Sequence, residues 1–463
     1  MLLNAIRPAQ SNHYFLKLLL TAWVLLGTAP LATAQLRAGV GKTDITPALD
    51  TPLEGYYYER LATNVHDPLF AKALVLEDGN NTLVIVITDL VDVAPSGFKQ
   101  ARARIAKDFD IPTGNIIISA THTHTGPVIT PEYEALVATK VYDAVKIAQQ
   151  SLQPAVLKSG AGDEAHVSFH RRFMMKDSTV QFNPGALNPD IVRPMGPIDP
   201  EVGILYVQTP SGTPLAVLVN FAIHLDTVGG TEVSADFPAF ISEVLKKQLG
   251  DDTMVMFGLG TCGNLNHFNV KSPETLKGFG RAERIGHALA ASVIRELPAL
   301  ETSEVSALQS ASETLALKIP AYTKQQVAEA KINAKKESDH ESSTPEIREA
   351  MKILRIDTMD GEPLEAEVLA FGLGDVGIVA LPGEIFVELG LEIKEKSPFK
   401  RTLILTLSNN SVGYVPNEAA FPHGAYEVEV SQVAPGEGER LVTSSIKLLN
   451  EIKEAPNATT TNE

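Results

Sequence analysis

The chain holds one cysteine, Cys262, among 463 residues, so no intramolecular disulfide can brace it. It is short of positive charge. Lys and Arg total 39 against 56 Asp and Glu, and a net charge of −17 without a basic stripe argues against nucleic acid as a partner. Beyond the N-terminus no long apolar run occurs, which leaves no membrane span in the mature chain. No Walker-type or Gly-x-Gly-x-x-Gly loop follows a strand pattern, so nothing points to a nucleotide enzyme. No internal repeat and no clear linker is visible. Such a chain must be held by its core, with metal as the available supplement.

The N-terminus reads as a targeting segment. Arg7 and Lys17 precede the apolar stretch Leu18-Leu19-Leu20-Thr21-Ala22-Trp23-Val24-Leu25-Leu26, and Ala32-Thr33-Ala34 has the small residues of a cleavage site. The reading is a signal peptide over 1–34, with a retained anchor as the alternative. A secreted or periplasmic location, of bacterial type, fits both the signal and the lack of disulfides. About 430 residues remain, enough for one large domain over 35–455. The polar tail 456–463 is expected to be disordered.

Strand-like runs recur in the mature chain, among them Leu83-Val84-Ile85-Val86-Ile87, Ile116-Ile117-Ile118, Leu215-Ala216-Val217-Leu218-Val219 and Leu403-Ile404-Leu405. Between several of them apolar residues return at three- and four-residue spacing, as at 132–152, 237–249 and 280–297. This alternation predicts an α/β fold, a layered mixed β-sheet core flanked by helices. The Lys-, Glu- and Ala-rich stretch 324–355 reads as a charged helical insertion.

Four apolar strand patterns end in polar, titratable residues. Ile116-Ile117-Ile118-Ser119-Ala120 runs into Thr121-His122-Thr123-His124-Thr125-Gly126-Pro127. Val217-Leu218-Val219-Asn220-Phe221-Ala222-Ile223 ends in His224, Ile378-Val379-Ala380-Leu381-Pro382-Gly383 in Glu384, and Thr406-Leu407 leads through Ser408-Asn409-Asn410-Ser411-Val412-Gly413 to Tyr414. Sheet folds bind ligands at strand ends, and imidazoles are the commonest zinc ligands. A lone histidine after a strand is more often a satisfied core residue, and a Pro-Gly-Glu turn usually places its Glu in water. Asp89 and Asp236 are candidates for carboxylates that orient a ligand imidazole, whereas Asp44 is expected to close a turn.

With these residues in view, the chain resembles the neutral/alkaline non-lysosomal ceramidases, in their N-terminal catalytic domain. The resemblance runs from Ala38-Gly39-Val40-Gly41-Lys42-Thr43-Asp44-Ile45-Thr46-Pro47 through the His-Thr-His-x-Gly-Pro element. It continues in Asn220-Phe221-Ala222-Ile223-His224, Gly263-Asn264-Leu265-Asn266, Leu381-Pro382-Gly383-Glu384 and Gly413-Tyr414-Val415, with the spacing of Tyr414 and Tyr426 also matching. It implies Zn²⁺ held by His122, His224, Glu384 and Tyr414, with His124 as a mover of protons. It also implies an active-site arginine at Arg171, with Arg172 adjacent, and an oxyanion donor at Tyr426. The implied activity is zinc-dependent hydrolysis of an amide bond in a small-molecule or lipid substrate, N-acylsphingosine or another N-acyl amide.

The chain also departs from the family. Where the family has serine then proline after its Gly-Asn-x run, this sequence has Asn266 then His267, and a catalytic domain without the family's immunoglobulin-like C-terminal domain is expected. Tyr56-Tyr57-Tyr58 and Phe268 are the aromatics near the motifs that might line an alkyl trough. The alternatives are a zinc hydrolase of a non-lipid substrate and a non-catalytic binding protein that keeps the fold.

Overall fold

A computed structural model describes residues 35–274, 277–336 and 343–455. The segment read as a signal peptide and the C-terminal tail at 456–463 lie outside the described residues. Among the described residues, three larger mixed sheets share one topology. In the first, β1 (Arg37–Asp44), β2 (Phe70–Glu77) and β3 (Thr82–Thr88) pair antiparallel in turn. Helix α1 (Pro95–Phe109) crosses over, β4 (Ile116–Ala120) returns parallel to β3, and α2 (Pro131–Gln150) follows.

The second unit repeats this order with β5 (Val156–Asp163), β6 (Glu201–Gln208), β7 (Pro214–Phe221), α3 (Phe237–Leu249), β8 (Met254–Leu259) and α4 (Phe279–Glu296). Again the first three strands are antiparallel and the last is parallel to the third. The third unit begins with β9 (Leu308–Leu317), then carries the charged helices α5 (Lys324–Asn333) and α6 (Pro345–Asp357). It closes with β10 (Leu364–Leu373), β11 (Val376–Ala380), α7 (Val387–Lys396), β12 (Arg401–Leu405) and α8 (Glu437–Glu454), in the same pairing pattern. The repeat that the sequence does not display is thus present in the topology.

The strands read as unbroken apolar runs because both faces are buried. Successive side chains alternate between two cores. Leu83, Ile85, Ile87 and Ile117 point inward to meet Leu218, Met256, Phe371, Ile378 and Leu403 from the other two sheets. Val84, Val86 and Ile118 point outward to the layer holding Phe98, Val141 and Val145 of α1 and α2. The outer face of the third sheet is covered likewise by Leu389, Ile393 and Leu448 of α7 and α8. Three sheets therefore wrap one central core and wear their helices outside. Each fully buried Leu, Ile or Phe adds on the order of 1.5–3 kcal/mol, which suits a chain without disulfides.

This topology brings strand ends together. In every unit the third and fourth strands finish at the same edge, and the long connection between first and second strands starts there. Those connections are 45–69, 164–200 and 318–363. Side chains tie the units at that edge: Asn220 Nδ2 donates to Ile404 O at 2.8 Å, and Ser119 Oγ donates to Thr406 O at 2.7 Å.

Helix α2 lies so close to β1 that a Cβ on Gly41 would fall 2.0 Å from Ala144 O. Gly41→Ala is therefore expected to lower the unfolding free energy by about 1–3 kcal/mol or more, read as a lower urea midpoint. Gly280→Ala, where a Cβ meets nothing within 4 Å, is the control and should not destabilise.

Candidate metal centre

Strand β4 stops at Ala120 and the chain turns sharply, with His122 in the left-handed region at φ 77°. A non-glycine residue held there is paid for by its surroundings. His122 N donates to Leu90 O at 2.8 Å and its Nδ1 donates to Val91 O, which directs Nε2 across the cleft. His224 arrives from the end of β7 and sets its Nε2 2.9 Å from His122 Nε2. Glu384 follows β11, in a short parallel ladder with Tyr414. Its Oε2 lies 3.2 Å from His122 Nε2 and 3.8 Å from His224 Nε2, buried and without a hydrogen bond. The Tyr414 hydroxyl is hydrogen-bonded to Glu384 and Arg171.

The structure thus brings His122, His224, Glu384 and Tyr414 to one point, together with His124, whose Nε2 is 3.4 Å from His122 Nε2. Ligand atoms of the three histidines lie within 4.8 Å of one another. Two imidazoles, an orphaned carboxylate oxygen and a phenol form a donor set that fits a divalent metal ion. Burial first, then the neighbouring imidazoles and Arg171, holds the His224 pKa well below its usual value, which keeps it neutral. Burial pushes the Tyr414 phenol up, so ionising it requires a nearby cation. Burial also pushes His124 down to about 3, against the opposing pull of Asp226.

Arg171, and not Arg172, faces the cleft. Its Nη1 is 3.3 Å from His224 Nδ1, its Nη2 donates to Gly263 O at 2.7 Å and its Nε to Glu427 Oε1 at 2.7 Å. Arg172 turns away and donates through Nη1 to Glu427 Oε2 at 2.9 Å. The ring of Tyr426 packs edge-on to Tyr414 at 5.7 Å between centroids, and its hydroxyl is hydrogen-bonded to Tyr57. Cavities of about 360 and 790 Å³ meet at Gly55, Tyr56, His124, Tyr414 and Tyr426. The smaller is lined by Phe182, Phe268 and Val270 but also by Asn183, Asn266 and Asp226. Asn266 Nδ2 donates to Asn183 Oδ1 at 2.9 Å, whereas His267 is fully buried. Glu54, on the larger cavity, is pushed up to about 7 by burial and then by Asp92.

The expected orienting carboxylates are corrected by the structure. Asp89 Oδ2 accepts from Phe70 N at 2.9 Å and faces Lys72 at 3.4 Å. Asp236 caps α3 and accepts from Thr227 N, Val228 N and Phe237 N. Asp89 is thus held by Phe70 N and Lys72, Asp236 by main-chain donors, and neither makes a hydrogen bond or ion pair with a histidine among the described residues. Asp44 closes its turn through Thr46 N at 2.8 Å. The carboxylate that approaches the imidazole of His124 is Asp226, two residues after His224 as His124 is two after His122. Sequence reasoning missed it, along with Glu427, whose pairing to two arginines far earlier in the chain leaves no local signal.

Glu427 is fully buried, and Arg171 and Arg172 outweigh the burial that would raise its pKa, so it is held below 4.5. Glu427→Gln leaves two buried guanidiniums without their shared charge and should cost about 3–5 kcal/mol in urea denaturation at neutral pH. A depressed carboxylate pKa contributes stability that is complete above its unfolded value and is lost as pH falls through the folded one. The gap between wild type and variant is therefore expected to close on acidification below about pH 4.5.

A family model described as neutral/alkaline non-lysosomal ceramidase, N-terminal, matches residues 36–253. Neutral ceramidase of Pseudomonas aeruginosa is 26% identical over 236 residues, 46% of this chain and 34% of that protein. Neutral ceramidase B of Dictyostelium discoideum is 25% identical over 258 residues, 50% of this chain and 33% of that protein. The matched stretch spans about a third of the length of these curated relatives. The crystal structure of the Pseudomonas aeruginosa neutral ceramidase aligns with a TM-score of 0.71 at 17% identity, covering 93% of this chain and 77% of that one. A ceramidase complexed with C2 aligns equally, at 18% identity. At that identity the structural likeness speaks for the fold, and the sequence matches speak for descent. Together they make the chain similar to the neutral/alkaline non-lysosomal ceramidases, in sequence over residues 36–253 and in fold over most of its length.

Proposed function

We propose that the protein is an exported, zinc-dependent hydrolase of an amide bond, with His122, His224, Glu384 and Tyr414 as the metal ligands. The observation that carries this reading is the meeting of His122, His224 and Glu384 donor atoms within 2.9–3.8 Å in a buried cleft. A zinc ion held by these residues would polarise the amide carbonyl and bring the pKa of a water toward ~7. The chain's own groups divide the remaining tasks. Arg171, locked by Glu427 and Gly263 O, places a fixed positive charge beside His224 and Tyr414. Tyr426 donates its phenolic proton as a hydrogen bond to the oxyanion that develops on the carbonyl. His124 accepts a proton at Nε2 and returns it to the leaving amine. Export is supported by the N-terminal charge and apolar pattern and by the single cysteine, and among the described residues no helix is long and apolar enough to cross a membrane.

The substrate reading rests on the cleft. Long-chain ceramide needs a trough for two alkyl chains, because their burial supplies binding at about 25 cal/mol per Å². The 360 Å³ cavity offers Phe182, Phe268 and Val270, interrupted by the Asn183–Asn266 pair and Asp226. That wall favours a smaller or more polar N-acyl amide over long-chain ceramide.

Metal analysis of the purified protein and a panel of N-acylsphingosines and short N-acyl amides test these statements. His224→Ala is expected to lose metal. His124→Ala should keep it and lose turnover by roughly 10²–10⁴-fold. Equal metal loss in both variants would overturn the division of roles. Efficient hydrolysis of long-chain ceramide, abolished by chelation, would overturn the substrate reading and leave the amidase reading standing.

A further inference from the structure

The ring of His124 is held from several sides. Its N donates to Leu225 O at 3.1 Å, and its O accepts from Arg60 Nη2 at 2.7 Å. Tyr56 packs against the ring at 5.9 Å between centroids, and Gly55 lies so close that a Cβ there would sit 2.7 Å from the imidazole. Nε2 faces the His122 nitrogen, while Nδ1 is buried and makes no hydrogen bond. What lies opposite Nδ1 is Asp226, with Oδ1 at 3.8 Å.

Asp226 is itself fixed from two other segments. The Tyr56 hydroxyl donates to Oδ1 at 2.6 Å, and Lys277 Nζ lies 3.1 Å from Oδ2. Tyr56 comes from the first long connection and Lys277 from the segment leading into α4. Lys277 Nζ also donates to the Tyr56 hydroxyl at 2.7 Å, so the two hold the carboxylate together. Asp226 is distinct from the metal-ligand set and stands on the same strand end as His224.

We infer that Asp226 is the positioning residue of the centre: it accepts Nδ1–H of His124 and so presents the Nε2 lone pair to the metal-ligand cluster. This rests on the reading of that cluster as a hydrolytic zinc site. A neutral imidazole carries one N–H, and its location is set by what the other nitrogen meets. Hydrogen on Nε2 would point it at a ligand nitrogen and leave the Nδ1 lone pair against a carboxylate, two unfavourable contacts. Hydrogen on Nδ1 removes both. The 3.8 Å separation closes to hydrogen-bond length with less than 1 Å of movement, the tightening that such pairs undergo when substrate fills a site. The Tyr56 and Lys277 contacts then keep the carboxylate from following the ring elsewhere.

The test compares wild type, Asp226→Asn and Tyr56→Phe as full mature chains. Asp226→Asn should keep its metal content and keep KM within about threefold, while kcat falls roughly 10–100-fold, as for other carboxylates that orient an imidazole. Tyr56→Phe, which leaves Lys277 on the carboxylate, should fall less. Nitrogen NMR of ¹⁵N-histidine-labelled protein supplies a readout that a merely structural role would not move. In the wild type the proton of His124 should reside on Nδ1, and in Asp226→Asn the Nδ1–H signature should diminish or vanish. An Nε2–H tautomer in the wild type, or full kcat in Asp226→Asn, would overturn the inference. Metal loss in Asp226→Asn would also overturn it, by making the residue part of ligand retention. Should the wild type hydrolyse no amide at all, the amidase reading fails and the tautomer measurement still decides the role of Asp226.

Discussion

Two imidazole nitrogens, His122 Nε2 and His224 Nε2, face each other at 2.9 Å with a buried carboxylate oxygen beside them. Such a cluster is costly unless something positive sits among its lone pairs. His122 is committed by its Nδ1 contact to Val91 O, and the Glu384 oxygen has no hydrogen bond. The groups around the cluster are arranged to keep that geometry and not to relieve it. Arg171 lies behind His224 and is locked by Glu427, which also holds Arg172. Removing any tie in this chain releases a charge into a low-dielectric interior, where an unpaired ion costs several kcal/mol.

The three-sheet architecture explains why a cluster from such distant segments can be rigid. Each unit sends its third and fourth strands to one edge, so His122, His224, Glu384 and Tyr414 all follow strands whose registers are fixed by buried apolar faces. A slip of one residue would exchange the central core for the outer one, which makes register costly to change. The polar ties between units, Asn220 to Ile404 O and Ser119 to Thr406 O among them, close the edge without depending on the long connections. Functional groups on rigid strand ends hold position to within the tolerance that a metal site needs.

Much of this was legible in the sequence. Apolar runs that stop at His122, His224 and Glu384 marked strand ends, and the α/β alternation marked the fold, because hydrophobic period and strand termination are local properties. The threefold repeat was not legible, since the units share pairing order and not side chains, and their first connections differ widely in length and content. Asp89 and Asp236 looked as eligible as Asp226 to orient an imidazole. The difference lies in main-chain donors that only the folded chain supplies: Phe70 N takes Asp89, and three amides take Asp236. Glu427 was invisible for a related reason. A carboxylate in a short helix, Tyr426–Val430, looks solvated until two arginines from 171–172 are folded onto it.

The cleft separates chemistry from selection along the chain. The candidate metal ligands and His124 follow core strands, whereas most of the lining that would touch a substrate comes from the long connections within the units. Gly55 and Tyr56 come from 45–69, Phe182 and Asn183 from 164–200, and Ile347 and Met351 from 318–363. These connections carry little of the central core, so their side chains can change without disturbing strand register. A substitution such as a polar Asn183–Asn266 pair in place of an apolar wall alters which molecule enters while the donor atoms stay where they are. The fold can therefore persist where sequence identity with the Pseudomonas aeruginosa neutral ceramidase is only 26% over 236 residues, because the constraint on the donor atoms and the constraint on the cleft lining act on different residues.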